Sequence, residues 1–256
     1  MMNLIDTHAH LDGIDDVRGA LKRAESAGVR AIVAVGENKA ANQKNLDLAR
    51  NTKRPEIILA LGLHPGKIES DLIDEELLFI EKHLGEAKAI GEIGLDFWYK
   101  ETRKDSRKKE EQLQVYRRLL EIARDNALPV LIHTRGAWRE AFEMAKSVCI
   151  QRAVFHWYSG PMDVLKDILD KGYFISASPS VVYSEEARNS LEFAPVEQTL
   201  VETDSPVFYK HCEGGLKAEP KDVFVTLKHY ALLKKRSEQE LAEILNKNAE
   251  LIFNLD

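Results

Sequence analysis

A repeated alternation constrains this chain more than any other feature. Short continuous apolar runs recur along its whole length, at Leu4–Ile5, Ala31–Val35, Ile57–Leu61, Ala89–Ile90, Val130–Ile132, Ala153–Phe155, Phe174–Ile175 and Leu200–Val201. Continuous rather than alternating apolar strands suit a parallel sheet buried on both faces. Between the runs lie stretches of helical spacing. In residues 15–27, Val17, Ala20, Leu21, Ala24 and Ala27 recur at that period, with Asp15 and Asp16 at the start and Gly28 placed to cap the end. Segments near 72–84, 108–126, 137–148 and 161–171 read the same way, and Ser237 with Glu240 resembles a capping box ahead of Leu241. Eight strands alternating with helices in 256 residues predict an α/β fold, a single TIM (β/α)8 barrel spanning residues 1–256 as one domain. An open, doubly wound parallel sheet is the competing arrangement on this pattern alone.

Composition removes several function classes. An apolar content of 44% excludes dominant disorder, and no apolar run approaches the ~20 residues that span a bilayer. A net charge of −6 argues against a strongly basic nucleic-acid binder, although it says nothing of local fields. Cys149 and Cys212 are the only thiols, too few for a disulfide scaffold and not spaced as a metal or redox pair. Residues 1–6 carry neither a basic region nor a long apolar stretch, so a cytoplasmic, reducing location is expected.

Ligand-type residues gather at the ends of the strand candidates. His8 and His10 follow the first run, Glu92 the fourth, His133 the fifth, His156 the sixth and Asp204 the eighth. In a (β/α)8 barrel those ends converge on the face that carries the active site. Residues i and i+2 of a strand point to one side, so His8 and His10 can serve one ion together. A single histidine at a strand end is more often a satisfied polar residue than a ligand, and Asp204 alone suits a turn or helix cap before Pro206. Six together at strand ends are a different matter. Imidazoles with carboxylates suit divalent ions, and this set exceeds the needs of one tetrahedral site. Two ions about 3.5–4 Å apart, bridged by Glu92, use it better. His64 follows the third strand and faces the same mouth, where it is expected to contact substrate; His83, His211 and His229 have no such context.

Six stretches then carry a resemblance: Asp6-Thr7-His8-Ala9-His10-Leu11-Asp12, Gly62-Leu63-His64-Pro65, Gly91-Glu92-Ile93-Gly94-Leu95-Asp96, Pro129 through Arg135, His156-Trp157-Tyr158-Ser159-Gly160 and Glu202-Thr203-Asp204-Ser205-Pro206. In this order and over essentially the whole chain, they resemble the TatD family of metal-dependent hydrolases, within the amidohydrolase-like barrels. The resemblance implies a TIM barrel, nuclease activity on DNA ends and a divalent-metal centre held by His8, His10, Glu92, His133, His156 and Asp204. Trp157-Tyr158 and Glu219-Pro220 depart from the family pattern on the substrate side.

The expected cofactor is a pair of divalent ions (Mg2+, Mn2+ or Zn2+), with Asp204 and Glu92 in catalytic roles. Asp204 is expected to hold one ion and to orient or deprotonate the attacking water. His64, Arg135 and Trp157 are the expected substrate contacts. Residues 97–109 add three aromatics and six bases after the strand carrying Glu92, a composition that suits single-stranded DNA or a solvated helix start. Trp157, Tyr158, Phe208, Tyr209 and Lys210 could border the same mouth. Two other readings use the same centre: hydrolysis of an ester, amide or aminoacyl-nucleic-acid bond, and a non-catalytic metal-binding barrel.

Overall fold

A computed structural model describes residues 2–212 and 214–255. Its central sheet has eight strands in the order of the sequence, all neighbours parallel. They are β1 (Leu4–Ala9), β2 (Val29–Val35), β3 (Glu56–Leu61), β4 (Ala89–Asp96), β5 (Val130–Arg135), β6 (Ala153–Phe155), β7 (Phe174–Ala177) and β8 (Thr199–Val201). Beyond β8 the chain closes on β1. Ala9 bridges Ser205, His10 N–H donates to the Ser205 carbonyl at 2.8 Å, and Asp204 N–H donates to the His8 carbonyl at 3.0 Å. Buried Asp6 accepts from the Thr203 amide at 2.9 Å and the Thr203 hydroxyl at 2.6 Å. This seam removes the open edges of a doubly wound sheet, and the fold is a TIM-type barrel.

The crossovers are α1 (Val17–Ala27), α2 (Lys39–Asn51), α3 (Ile73–Lys82), α4 (Lys100–Lys104), α5 (Ser106–Asp125), α6 (Trp138–Ser147), α7 (Met162–Asp170) and α8 (Glu185–Phe193), and α9 (Val223–Lys234) and α10 (Glu238–Phe253) follow the last strand. Gly28 ends α1 in the left-handed region at φ 103°, and Ser237 caps α10 by accepting from Glu240 N–H at 3.2 Å. Both caps were expected from the sequence. A small hairpin, β9 (Phe208–Tyr209) with β10 (Leu216–Lys217), follows β8.

Two apolar layers hold the barrel. Leu4, Ile32, Leu59, Ile90, Ile132 and Phe155 pack outward against the helices, while Ile5, Val33, Ile58, Leu131 and Leu200 join Ala249, Ile252 and Phe253 of α10. Thus α10 packs on the early halves of the strands, and their C-terminal ends are left for the site. Among the described residues no helix is long and apolar enough to cross a membrane.

Several strands run further than their apolar runs. β1 continues through Asp6, Thr7 and His8, so His8 lies within the strand rather than after it. β4 continues past Glu92 to Asp96, pairing Ile93 with Ile132, Gly94 with His133 and Asp96 with Arg135. The glycines around Glu92 look like turn residues in sequence, yet Gly94 is a close approach of two strands: a Cβ there would lie 1.9 Å from the His133 carbonyl oxygen, at φ +147°.

Candidate metal centre

All six residues that the sequence singles out come together at the C-terminal mouth. β1 supplies His8, and His10 stands one residue beyond it. His8 Nε2 lies 3.4 Å from Glu92 Oε2 and 3.6 Å from Asp204 Oδ1. His10 Nε2 lies 3.3 Å and 3.2 Å from the same two oxygens. The other Glu92 oxygen, Oε1, faces His156 Nε2 at 2.8 Å and His133 Nδ1 at 2.9 Å. One carboxylate therefore divides its two oxygens between two histidine groups. His8 also stacks on His156, with ring centroids 4.0 Å apart.

These rings are poorly served by ordinary hydrogen bonds. Both ring nitrogens of His8 and Nδ1 of His10 are buried without a hydrogen-bond partner among the described residues. A buried polar atom left in that state costs about 1–3 kcal/mol. Ligand atoms of His8, His10 and Glu92 all lie within 4.8 Å of one another. Nitrogen and carboxylate donors so gathered fit borderline divalent cations. The residues present fit the metal centre that their chemistry implies.

Two carboxylates behind the site set which nitrogens face it. Asp96 Oδ2 lies 3.0 Å from His133 Nε2, leaving Nδ1 toward Glu92. Glu202 Oε1 lies 3.4 Å from His156 Nδ1, leaving Nε2 toward Glu92, and Glu202 Oε2 accepts from the Ser176 hydroxyl at 2.5 Å. Such outer carboxylates fix tautomer and ring orientation in metal sites. The sequence reading missed both: period-two spacing puts Asp96 on the strand face of Glu92, but Glu202 lies beyond β8.

His64 differs from the others. Its Nδ1 accepts from Gly66 N–H at 3.0 Å, so the neutral ring carries its proton on Nε2, 3.7 Å from Glu92 Oε1. That tautomer makes His64 a donor rather than a ligand, even though its ring lies beside those of the centre. Burial, reinforced by the neighbouring His133, His10 and His156 and opposed by Glu92, pushes its pKa down to about 3.

The remaining groups are held in opposed charge states. Burial favours neutral His10, yet Asp204 and Glu92 raise its pKa well above the ordinary value. His133 is raised despite burial by Asp96 and Glu92, and His156 by Glu92 and Glu202. Burial opposes ionisation of Glu92 and Asp204 as well, but His156, with hydrogen bonds from His10 and His133, holds the first low, and His10 and His8 hold the second.

Above the cluster opens a cleft of about 660 Å³ whose lining includes Asp12, His64, Tyr99, Arg135, Trp157 and Asp204. The three expected substrate contacts all border it. Arg135 is less free than its sequence position suggests: Nε and Nη2 donate to Asp96 Oδ2 at 2.9 and 2.8 Å, and the guanidinium lies 5.1 Å over the Tyr99 ring. The expectation that Tyr158 and Tyr209 border the mouth is corrected. Tyr158 is buried with its hydroxyl on the Pro161 carbonyl, and buried Tyr209 supports Trp157 at 5.4 Å between ring centroids. Phe208 and Lys210 also lie outside the lining, as do His83, His211 and His229.

The family model for TatD related DNase matches residues 5–254. Deoxyribonuclease TATDN3 of Homo sapiens is 30% identical, covering 98% of this chain and 95% of its own length. Metal-dependent hydrolase MJ1582 of Methanocaldococcus jannaschii, whose function is uncharacterized, is 31% identical over 97% of this chain and 96% of its own. The crystal structure of the TatD homolog YJJV from Escherichia coli superimposes with a TM-score of 0.88 at 26% identity, covering 99% of this chain and 98% of that one. The chain belongs to the TatD-related DNase family of metal-dependent hydrolases.

Proposed function

We propose that this chain is a cytoplasmic deoxyribonuclease, one barrel domain over residues 1–256, that cleaves phosphodiester bonds of DNA at ends or in single strands. Two divalent ions (Mg2+, Mn2+ or Zn2+) would serve it, one held by His8, His10 and Asp204, the other by His133 and His156. The observation that carries this reading is the division of the Glu92 oxygens between the two groups. Such ions act as Lewis acids and make hydroxide available near neutral pH.

The protein's own groups do the rest. Asp204 Oδ1 faces the cleft beside His10 and His8, where it orients the attacking water and accepts its proton. Asp96 and Glu202 keep His133 and His156 in the tautomers that present Nδ1 and Nε2 to the centre. His64, neutral with its proton on Nε2, donates a hydrogen bond to a phosphate oxygen. Arg135, oriented by Asp96, turns its remaining N–H groups to the cleft. The DNA substrate is supported by the deoxyribonuclease name of the human relative, and the free Cys149 and Cys212 accord with a reducing compartment.

Metal-loaded protein incubated with end-labelled single-stranded DNA, beside a panel of esters and amides, tests the reading. Stepwise shortening of the DNA is expected, slowed on the order of 100- to 10,000-fold in Asp204→Asn. Turnover confined to the esters or amides would overturn the substrate assignment. A protein that takes up no divalent ion on titration would overturn the centre itself.

A further inference from the structure

Of the three consecutive aromatics after β4, one is turned outward. Phe97 is half-buried beneath Lys109, whose Nζ lies 5.1 Å from the ring, and Tyr99 lines the cleft under Arg135. Trp98 instead is 58% exposed. A single exposed apolar side chain is ordinary on a protein surface, but this indole is braced. It meets Trp138 edge to face, with centroids 5.7 Å apart. Both rings rest on glycines: a Cβ on Gly136 would lie 2.3 Å from Trp98 Cδ1, and one on Gly160 would lie 2.7 Å from Trp138 Cδ1. The Trp98 amide donates to Asp96 Oδ1 at 2.9 Å, and Asp96 Oδ2 holds His133 and Arg135. One buried carboxylate thus ties the indole's backbone to a candidate ligand and to the arginine of the cleft. Arg103 and Lys104 lie exposed on α4, which begins two residues after it.

We infer that Trp98 is a stacking platform for an unpaired nucleobase of the strand whose phosphodiester enters the cleft. The inference rests on the deoxyribonuclease reading. An aromatic face beside cationic side chains accepts any unpaired base and tracks the backbone without reading sequence. A base inside a duplex has no free face to offer, so the platform selects single strands and frayed ends over paired DNA.

The test measures cleavage of a single-stranded oligonucleotide by metal-loaded wild-type, Trp98→Ala and Trp98→Phe proteins. The same strand carrying abasic sites in its terminal positions is the second substrate. Trp98→Ala is expected to raise KM for the complete strand about 5- to 150-fold, the range for loss of one base–aromatic stack. On the abasic strand wild type and Trp98→Ala should have the same KM, and Trp98→Phe should recover most of the loss on the complete one. A wild type that cleaves DNA with a KM indifferent to Trp98, or an equal loss on both strands, overturns this inference alone. Self-association that Trp98→Ala abolishes, with KM unchanged, also overturns it and assigns the indole to a second copy of this chain. A wild type inert on every oligonucleotide overturns the reading beneath it.

Discussion

At the scale of the residue, the proposed two-ion centre turns on Glu92. Its Oε2 serves His8 and His10, and its Oε1 serves His133 and His156. Removing the charge while keeping the shape therefore weakens both halves at once, whereas Asp204 touches only the His8 and His10 half. Glu92→Gln is expected to lower affinity for both ions by about 100-fold or more, exceeding the 10- to 100-fold usual for outer-sphere partners. Asp204→Asn should spare one site. Calorimetric titration with Zn2+ or Mn2+ reads this directly, and unchanged affinity for both ions in Glu92→Gln would refute the shared role of Glu92. The six candidate ligands were legible because six imidazoles and carboxylates coincide at strand ends, and the topology that gathers them was itself legible. Asp96, Glu202 and the pairing of Arg135 were not, because sequence spacing shows which residues share a strand face and not which atoms meet across it.

At the scale of the element, the ends of the apolar runs mislead where a strand turns polar. β4 carries Glu92 and Asp96 on a segment with two glycines among eight residues, yet pairs with β5 through Asp96. α2 was missed for a related reason: its inner face includes Asn42 and Asn45, which bind backbone rather than apolar neighbours. Asn42 exchanges hydrogen bonds with Gly62 at 2.8 and 3.1 Å, and Asn45 donates to the Val35 carbonyl at 3.0 Å. α9 shows the opposite failure, since apolar residues surround it and leave no amphipathic signal. Gly94 tests whether the extension of β4 matters to the site. Gly94→Ala puts a methyl group 1.9 Å from the His133 carbonyl oxygen, in a backbone region that L side chains rarely adopt. It is expected to cost about 3 kcal/mol or more and to weaken metal binding, since His133 moves with β5. Gly85→Ala is the control, because nothing lies within 4 Å of its added Cβ, and its stability should change by less than about 1 kcal/mol. Urea denaturation with metal titration of both variants checks this. Equal effects at the two positions would count against the close approach.

At the scale of the whole molecule, the centre couples metal, protons and fold. His10, His133 and His156 have pKa values raised by the carboxylates around them. A histidine raised on folding adds stability that is complete below its unfolded pKa of about 6.5, and this is lost as pH rises through the folded value. The metal-free barrel therefore loses this contribution as the solution becomes alkaline. Metal loading runs the other way, because the same nitrogens must give up their protons before they can act as ligands, so affinity climbs with pH. Glu92 and Asp204, held below the ordinary carboxylate range, stay ionised and leave the trend to the histidines. A ligand that binds only the folded state stabilises it by about 2.7 kcal/mol at 100 times its Kd. In a chain of 256 residues that raises Tm by roughly 5–10 °C. The Tm difference between metal-loaded and chelator-treated protein should therefore widen from pH 6 to pH 8.5, from both sides. Calorimetric scans at fixed free metal concentration measure it. A gap that stays constant or narrows would mean the buried histidines are not the groups that exchange protons for metal.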